Sequence, residues 1–390
     1  MMGNELIALG GAFLAAGILA RGGRAIGLPT IPLFMLAGII CGPNTPGIRL
    51  VDDPHDLELL AALGLVLLLF HLGLEFSLDD VAAGGPRLLA SGATYLALNI
   101  GGGLLFGLAL GWGGREALVI AGAIGISSSA IVTKLMVELQ RLANPETRLI
   151  LGIVVVEDLF LALYLAALQP VLSGSSGLRA FRDVTVAFLF VLALVAVSRW
   201  GAAVVSRLLD TPDDELLTIA FLGVAILTAG VAEELGVSDA IGAFLAGTII
   251  AVTVVHHRVE RLVLPLRDAF AAIFFFAFGL TLDPADAGKV AVPVLLAIVV
   301  TFVLNTIAGV VAARLNGHDA GAAARIALTV LARGEFSLIL AALALEAGLD
   351  ERIGPFVGLY VLVLALVAPV LASRPDWLAR LLPHRLVTST

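Results

Sequence analysis

Four charged side chains lie in the middle of otherwise apolar stretches of the sequence. Glu157 and Asp158 are adjacent in IVVVEDLFLALYLAAL, and Arg333 and Glu335 flank Gly334 in ALTVLARGEFSLILAAL. A charged group at the centre of a membrane costs about 2.5–3.5 kcal/mol to insert, so those that remain there usually serve a function. A buried carboxyl group can titrate near neutral pH, and a proton and a cation can compete for it.

Three consecutive serines interrupt another apolar stretch. AGAIGISSSAIVTKL carries Ser127, Ser128 and Ser129 shortly after Gly125. Small residues of this kind allow close packing between membrane helices. They also mark helices that unwind at mid-membrane, where backbone and hydroxyl oxygens line a cavity. Because oxygen ligands suit hard cations, the serines are candidate cation ligands, with close packing as the alternative.

The composition places these residues in a membrane protein. Of the 390 residues, 60% are hydrophobic and only 14% are charged, whereas soluble globular domains carry about 25% charged residues. Soluble enzymes, disordered scaffolds and nucleic-acid binders are therefore excluded. The single cysteine, Cys41, rules out an intramolecular disulfide and a multi-cysteine metal site.

Apolar stretches of roughly 17–25 residues predict an all-α polytopic fold with thirteen transmembrane helices. They are expected at 5–20, 28–43, 57–76, 88–111, 116–139, 149–170, 183–206, 215–233, 238–255, 263–281, 290–313, 321–346 and 354–372. The first begins with MMGNEL and has no basic residues before its apolar run, so it is interpreted as a membrane helix and not as a signal peptide.

The positions of Lys and Arg predict the orientation of the chain. With these spans, most basic residues fall on the side that holds the C-terminus. The positive-inside rule then places the N-terminus outside and the C-terminus in the cytoplasm. The expected location is the cell (inner or plasma) membrane. The connections are short, so residues 1–390 are expected to form a single transmembrane domain.

Two of the predicted helices are candidates for interruption, at ISSSA and at ARGEF. They are seven spans apart, and an odd offset reverses their orientation in the membrane. Discontinuous helices of opposite orientation are typical of inverted-topology repeats in secondary transporters, whose ion site lies at the midplane. The helix with Glu157 and Asp158 directly follows the first interruption, so these features predict one common site.

Several motifs, in order along nearly the whole chain, resemble the cation:proton antiporter superfamily, with its Kef-like potassium/proton branch closest. They are FHLGLEFSLDD at 70–80, ISSSAIVTKLMVEL at 126–139, VVVEDLF at 154–160, SDAIGAFLAGTIIA at 238–251, FFFAFGLTLD at 274–283 and ARGEFSLIL at 332–340.

The resemblance implies an elevator-type homodimer in the lipid bilayer. Its core bundle would comprise 88–170 and 290–372, its dimerisation panel 5–76 and 215–281, and its linking helix 183–206. No cofactor is implied; the ligands are the transported K⁺ or Na⁺ and H⁺. Kef-like relatives often carry a C-terminal regulatory domain, and the chain ends at LLPHRLVTST, so a separate cytoplasmic nucleotide-binding subunit or a truncation is expected.

The resemblance also assigns roles to individual residues. Asp158 matches the acid that takes either a proton or a cation, with Glu157 where relatives have Asp, Asn or Gln. Electrogenic relatives carry a lysine where this chain has Asn305 and Thr306, so we expect these two residues to line the core and the exchange to be electroneutral. Arg333 would offset the buried acids.

The expected function is secondary antiport of K⁺ or Na⁺ against H⁺, with no enzymatic reaction. The alternatives are a cation channel and a transporter of an organic solute with the same fold. An intramembrane aspartyl protease is disfavoured, because it needs two Asp on different helices and Asp158 is the only Asp near the middle of a predicted span.

Overall fold

The computed structural model describes residues 2–25, 28, 30–46, 49–51, 54–75, 85–172, 185, 189, 202–235 and 239–382. Regular structure within these residues is helical. In chain order the helices are α1 (Met2–Ala25), α2 (Thr30–Cys41), α3 (Glu58–Glu75), α4 (Gly85–Leu110), α5 (Gly114–Gly125), α6 (Ser129–Glu138), α7 (Thr147–Leu172), α8 (Ala202–Leu209), α9 (Asp214–Glu234), α10 (Asp239–Ala251), α11 (His256–Thr281), α12 (Ala287–Leu315), α13 (Ala320–Thr329), α14 (Glu335–Glu346), α15 (Ile353–Ser373) and α16 (Asp376–Leu381).

The predicted all-helical membrane fold is confirmed. Seven of the described helices are long and apolar enough to cross a membrane. Each predicted span overlaps one described helix, or two where the span is interrupted, except 183–206, most of which lies outside the described residues. The count of thirteen spans therefore stays a prediction.

One helix begins earlier than its apolar run indicated. The span predicted at 263–281 starts at His256, because HHRVERL forms the first turns of α11. A hydropathy reading stops where polar residues begin, although a helix can continue past that point.

Both predicted interruptions are present in the structure. The span predicted at 116–139 is divided between α5 and α6, and residues 126–128 between them are not helical. The span predicted at 321–346 is divided between α13 and α14 around residues 330–334. In both cases glycine or serine stands at the break, where a long apolar side chain would have favoured a continuous helix.

The described chain divides into two compact units. The first comprises residues 1–13, 50–77 and 162–277. Within it α3 packs on α10 through two facing glycines: a Cβ on Gly247 would lie 2.9 Å from the Cα of Gly73. Small residues allow backbones to approach this closely in membrane proteins, where dispersion contacts between helices favour association.

The second unit comprises residues 14–49, 78–161 and 278–390. Here α4 packs along both α5 and α12, and α12 also contacts α13 and α15. Both interrupted helices belong to this unit. The roles expected for the core bundle, the dimerisation panel and the linking helix stay predictions.

An ion pair fixes one end of the second unit. Glu146, in the loop before α7, is almost fully buried and binds Arg325 of α13. Burial alone would raise the pKa of this carboxyl group, but hydrogen bonds from Arg325, the backbone and Asn144 hold the pKa below its ordinary value. Glu146 therefore stays ionised and joins α13 to the start of the helix that carries Glu157 and Asp158.

Candidate functional site

The first interruption ends at a serine that caps the next half-helix. Ile126 and Ser128 have extended backbone conformations, with φ/ψ of −117°/125° and −90°/108°. The Ser128 hydroxyl oxygen accepts a hydrogen bond from the backbone amide of Ile131 at 3.4 Å. A serine at this position satisfies one of the free amide groups at a helix start, which matters because both Ser128 and Ile131 are buried.

The second interruption crosses the first at the same serine. The Ser128 amide donates to the Ala332 carbonyl at 3.0 Å, and its hydroxyl donates to Oε2 of Glu335 at 2.9 Å. Gly334 permits this approach, since a Cβ there would lie 2.6 Å from the Cβ of Ser128. Glu335 is the first residue of α14, where the positive end of the helix dipole stabilises a carboxylate.

Arg333 holds the two opposite helix ends. Its Nε and Nη2 donate to the Ile124 carbonyl near the end of α5, at 2.9 and 2.6 Å. Its Nη1 donates to the carbonyls of Val330 and Leu331 just after α13, at 2.9 and 3.1 Å. The ends of α5 and α13 carry partial negative charge, so one fully buried guanidinium neutralises both.

The sequence predicts that Arg333 offsets the buried acids, whereas its hydrogen bonds in the structure go to other groups. The hydrogen bonds shown for this side chain go to backbone carbonyls and to the Tyr95 hydroxyl, and none of these acceptors is a carboxylate. Arg333 still interacts electrostatically with Glu157.

The two adjacent acids of α7 have different surroundings. Glu157 has no exposed surface, and its Oε2 accepts a short hydrogen bond from the Ser127 hydroxyl. Asp158 follows it and is turned by about 100° around the helix; its side chain is half-buried. The interrupted helix therefore binds Glu157 directly, whereas Asp158 is the more accessible of the two carboxyl groups.

The remaining predicted site residues are Ser129, Asn305 and Thr306. Ser129 is the first residue of α6 and is half-buried. Asn305 of α12 is buried, and its amide donates to the Val330 carbonyl at 3.1 Å. Thr306 donates to the Phe302 carbonyl of its own helix at 2.8 Å. Asn305 thus contacts the second interruption, whereas the hydrogen bond of Thr306 stays within α12.

Two further residues contact the crossing and were not predicted. The buried Tyr95 of α4 donates to the Val330 carbonyl at 3.2 Å and accepts from Arg333 at 3.4 Å. Ser337 of α14 donates to the Ala123 carbonyl at 2.9 Å. A sequence signal existed for Tyr95, because Tyr95 and Asn99 are polar, four residues apart and therefore on one face of an apolar helix.

This geometry defines a class of protein. Two interrupted helices meet at buried carboxyl groups and hydroxyls, and their ends are neutralised within an apolar helical unit. Such crossings are typical of ion-coupled secondary transporters.

The comparisons with known proteins identify the family. Residues 11–375 match the family model described as "Sodium/hydrogen exchanger, transmembrane". The chain is 37% identical over 388 residues to the K(+)/H(+) antiporter subunit KhtU of Bacillus subtilis, with 98% of this chain and 96% of the relative covered. The chain belongs to the sodium/hydrogen exchanger family and to the cation:proton antiporter superfamily.

Other relatives differ in the cation that they are named for. The chain is 30% identical to the Ammonium/H(+) antiporter subunit AmhT of Alkalihalophilus pseudofirmus, covering 94% of this chain and 92% of that protein. The sodium proton antiporter MjNhaP1 of Methanocaldococcus jannaschii has a similar structure, with a TM-score of 0.73, 15% identity and 97% of both chains covered. The similarity to MjNhaP1 is a similarity of fold.

Replacement of Arg333 by alanine should destabilise the protein. The carbonyls of Ile124 and Leu331 would lose a charged donor in an apolar interior, and each unsatisfied buried group costs about 1–3 kcal/mol. We expect a clearly lower midpoint of thermal unfolding in detergent, measured by intrinsic fluorescence. Arg314→Ala, at an exposed position of α12, should change the midpoint little. Equal midpoints for the two variants would contradict the structural role of Arg333.

Proposed function

We propose that the protein exchanges a monovalent cation, K⁺ or Na⁺, for H⁺ across the membrane. The observation that carries this proposal is the acid pair of α7 beside the crossing of two interrupted helices, with Glu157 bound by Ser127. Membership of the exchanger family supports it, as do the antiporter relatives.

Asp158 is proposed as the residue that binds the proton and the cation in turn. Backbone carbonyls released by an unwound helix often coordinate ions in transporters. In this protein the carbonyls of Ile124, Val330 and Leu331 accept hydrogen bonds from Arg333, which leaves carboxylate and hydroxyl oxygens as the better cation ligands. Between the two acids, the half-buried Asp158 is the one that a hydrated ion reaches more easily.

Competition for one carboxylate couples the two flows. An ionised carboxylate crossing an apolar interior without a counter-ion carries a large desolvation cost. A carboxyl group that holds a proton, or a carboxylate that holds a cation, has no net charge and crosses more easily. Exchange then follows because the empty, charged form is the least stable form in transit. Glu157 is adjacent, so the pair should titrate as one coupled unit.

Alternating access is proposed to follow an elevator-type movement of a core bundle, 88–170 and 290–372, in a homodimer formed through 5–76 and 215–281. The proposed location is the cell membrane, with the N-terminus outside and the C-terminus in the cytoplasm. Because KhtU is named as a subunit, we also propose a separate cytoplasmic partner that regulates exchange.

Asp158→Asn should abolish cation-dependent proton movement. The amide cannot be ionised, so it cannot exchange a proton for a cation. The measurement is the pH inside proteoliposomes, reported by a trapped dye after addition of K⁺ or Na⁺. Glu233→Gln, at an exposed acid of α9, is the matched control and should keep full activity. Clear residual exchange by the Asp158 variant would remove this residue from the proposed role.

The same vesicles separate antiport from the alternatives. An antiporter moves the cation against its gradient when a proton gradient is imposed, whereas a channel cannot. A transporter of an organic solute would show no proton movement with either K⁺ or Na⁺.

Ser127→Ala should weaken the apparent cation affinity. The substitution removes the hydroxyl donor to Glu157 and so changes the charge distribution beside Asp158, although it leaves the cap formed by Ser128 intact. We expect a several-fold higher half-saturating cation concentration, with a modestly lower thermal midpoint because the buried Glu157 carboxyl group loses a hydrogen bond. Ser373→Ala, at an exposed position of α15, is the matched control and should be close to wild type. Identical cation affinities in the wild type and both variants would indicate that the three serines serve helix packing.

Exchange is proposed to be electroneutral, with one proton per cation. Asn305 carries no charge and its amide bonds the Val330 carbonyl, so this position of α12 supplies no additional proton carrier. The membrane-permeant anion thiocyanate, which dissipates membrane potential, should leave the rate of exchange unchanged. A marked acceleration on its addition would indicate electrogenic exchange.

A further inference from the structure

A second group of ligating side chains lies in the first turn of α11. His256, His257 and Glu260 each offer one ligand atom, and these atoms lie within 4.8 Å of one another. They occupy positions i, i+1 and i+4 of the helix, so the histidines and the glutamate project from adjacent faces of one turn. None of them takes part in the proposed exchange.

The distances fit a small metal ion. Nε2 of His256 lies 4.0 Å from Oε2 of Glu260, and Nδ1 of His257 lies 3.5 Å from the same oxygen. A tetrahedral zinc ion with bonds of about 2.0–2.2 Å holds neighbouring ligand atoms about 3.3–3.6 Å apart. The His257–Glu260 distance already lies in this range, and the His256–Glu260 distance exceeds it. The Glu260 side chain is 34% exposed, so it can rotate by the small amount that closes the longer distance.

His256 provides a nitrogen that is available to a metal. Its Nε2 is buried and has no hydrogen-bond partner among the described residues. A buried ring nitrogen normally has a partner, and here the nearby Glu260 carboxylate is in position to share a cation with it.

The basic residues of the same turn are directed to another acid. Arg258 donates to Oδ1 of Asp214 at 2.5 Å and to the Thr211 carbonyl at 2.6 Å, and Arg261 lies 3.5 Å from Oδ2 of Asp214. Both guanidinium groups are thus paired at the start of α9. Their repulsion of a cation bound by the histidines is reduced accordingly.

The start of the helix does not present a free positive end either. The amide of His256 donates to the Thr253 carbonyl, and the amides of Arg258 and Val259 donate to the Val255 carbonyl. Because the preceding turn satisfies these amides, the usual preference of a helix start for anions is weakened.

We propose that His256, His257 and Glu260 bind one late first-row divalent metal ion of the Zn²⁺ type, with water completing the coordination. Neutral imidazole nitrogens suit Zn²⁺, Ni²⁺ and Cu²⁺, whereas Mg²⁺ and Ca²⁺ prefer sites made of oxygen. The chemistry of the three ligands therefore predicts selectivity as well as binding.

The test measures zinc binding to the full-length protein, purified in detergent with an affinity tag that contains no histidine. Isothermal titration with ZnCl₂ should show one ion per chain, and MgCl₂ should show none. His257→Ala and Glu260→Gln should each weaken zinc binding at least tenfold. His318→Ala, which removes a half-buried histidine of the other unit, is the matched control and should bind zinc as the wild type does.

The variants also protect the test against misfolding. His257 is so exposed that its removal should leave the thermal midpoint of the zinc-free protein unchanged, and this midpoint is measured alongside. Absence of stoichiometric zinc binding would overturn the proposal. Equal zinc affinity in the wild type and in a stable His257→Ala variant would also overturn it.

Discussion

The arrangement of the site depends on Arg333, whose guanidinium group donates hydrogen bonds to the ends of two helices. Interrupting a helix in an apolar interior exposes carbonyl groups that would otherwise be bonded within the helix. Here α5 and α13 both end in the same interior, and one side chain donates to carbonyls of both. An arginine is suited to this task because its planar group offers five donors and keeps its charge at any physiological pH. A lysine could not reach both ends with the same geometry.

The starts of the other two half-helices, α6 and α14, are stabilised by side chains of the crossing. The starts of α6 and α14 carry partial positive charge, and they meet a serine hydroxyl and the Glu335 carboxylate, which bond each other across the crossing. Fixed dipoles are thereby balanced by groups that belong to the two interrupted helices themselves. In the proposed exchange the acids of α7 bind the ions, with Glu157 bonded on one side and Asp158 more open on the other.

The interruptions could be read from the sequence because they violate a local rule. Gly125 with three serines, and Arg333 beside Gly334, are unexpected in long apolar helices, and both are places where the chain leaves the helix. The partners of these residues could not be read in the same way. The hydrogen bonds depend on packing between segments far apart in the chain. They join Arg333 to Ile124 and Tyr95 to Val330. The three serines are alike in sequence, and only their position relative to the start of α6 distinguishes them.

The close approach of Gly334 to Ser128 limits how such a sequence can evolve. The two positions lie in different halves of the chain, yet any side chain at 334 would occupy space that the Ser128 side chain now fills. A larger residue at one position becomes tolerable only if the other becomes smaller, and glycine is already the smallest. Substitutions in descendants of this protein are therefore disfavoured at these two positions. They are tolerated better at neighbouring positions that are only half-buried, such as Ser129 and Thr306.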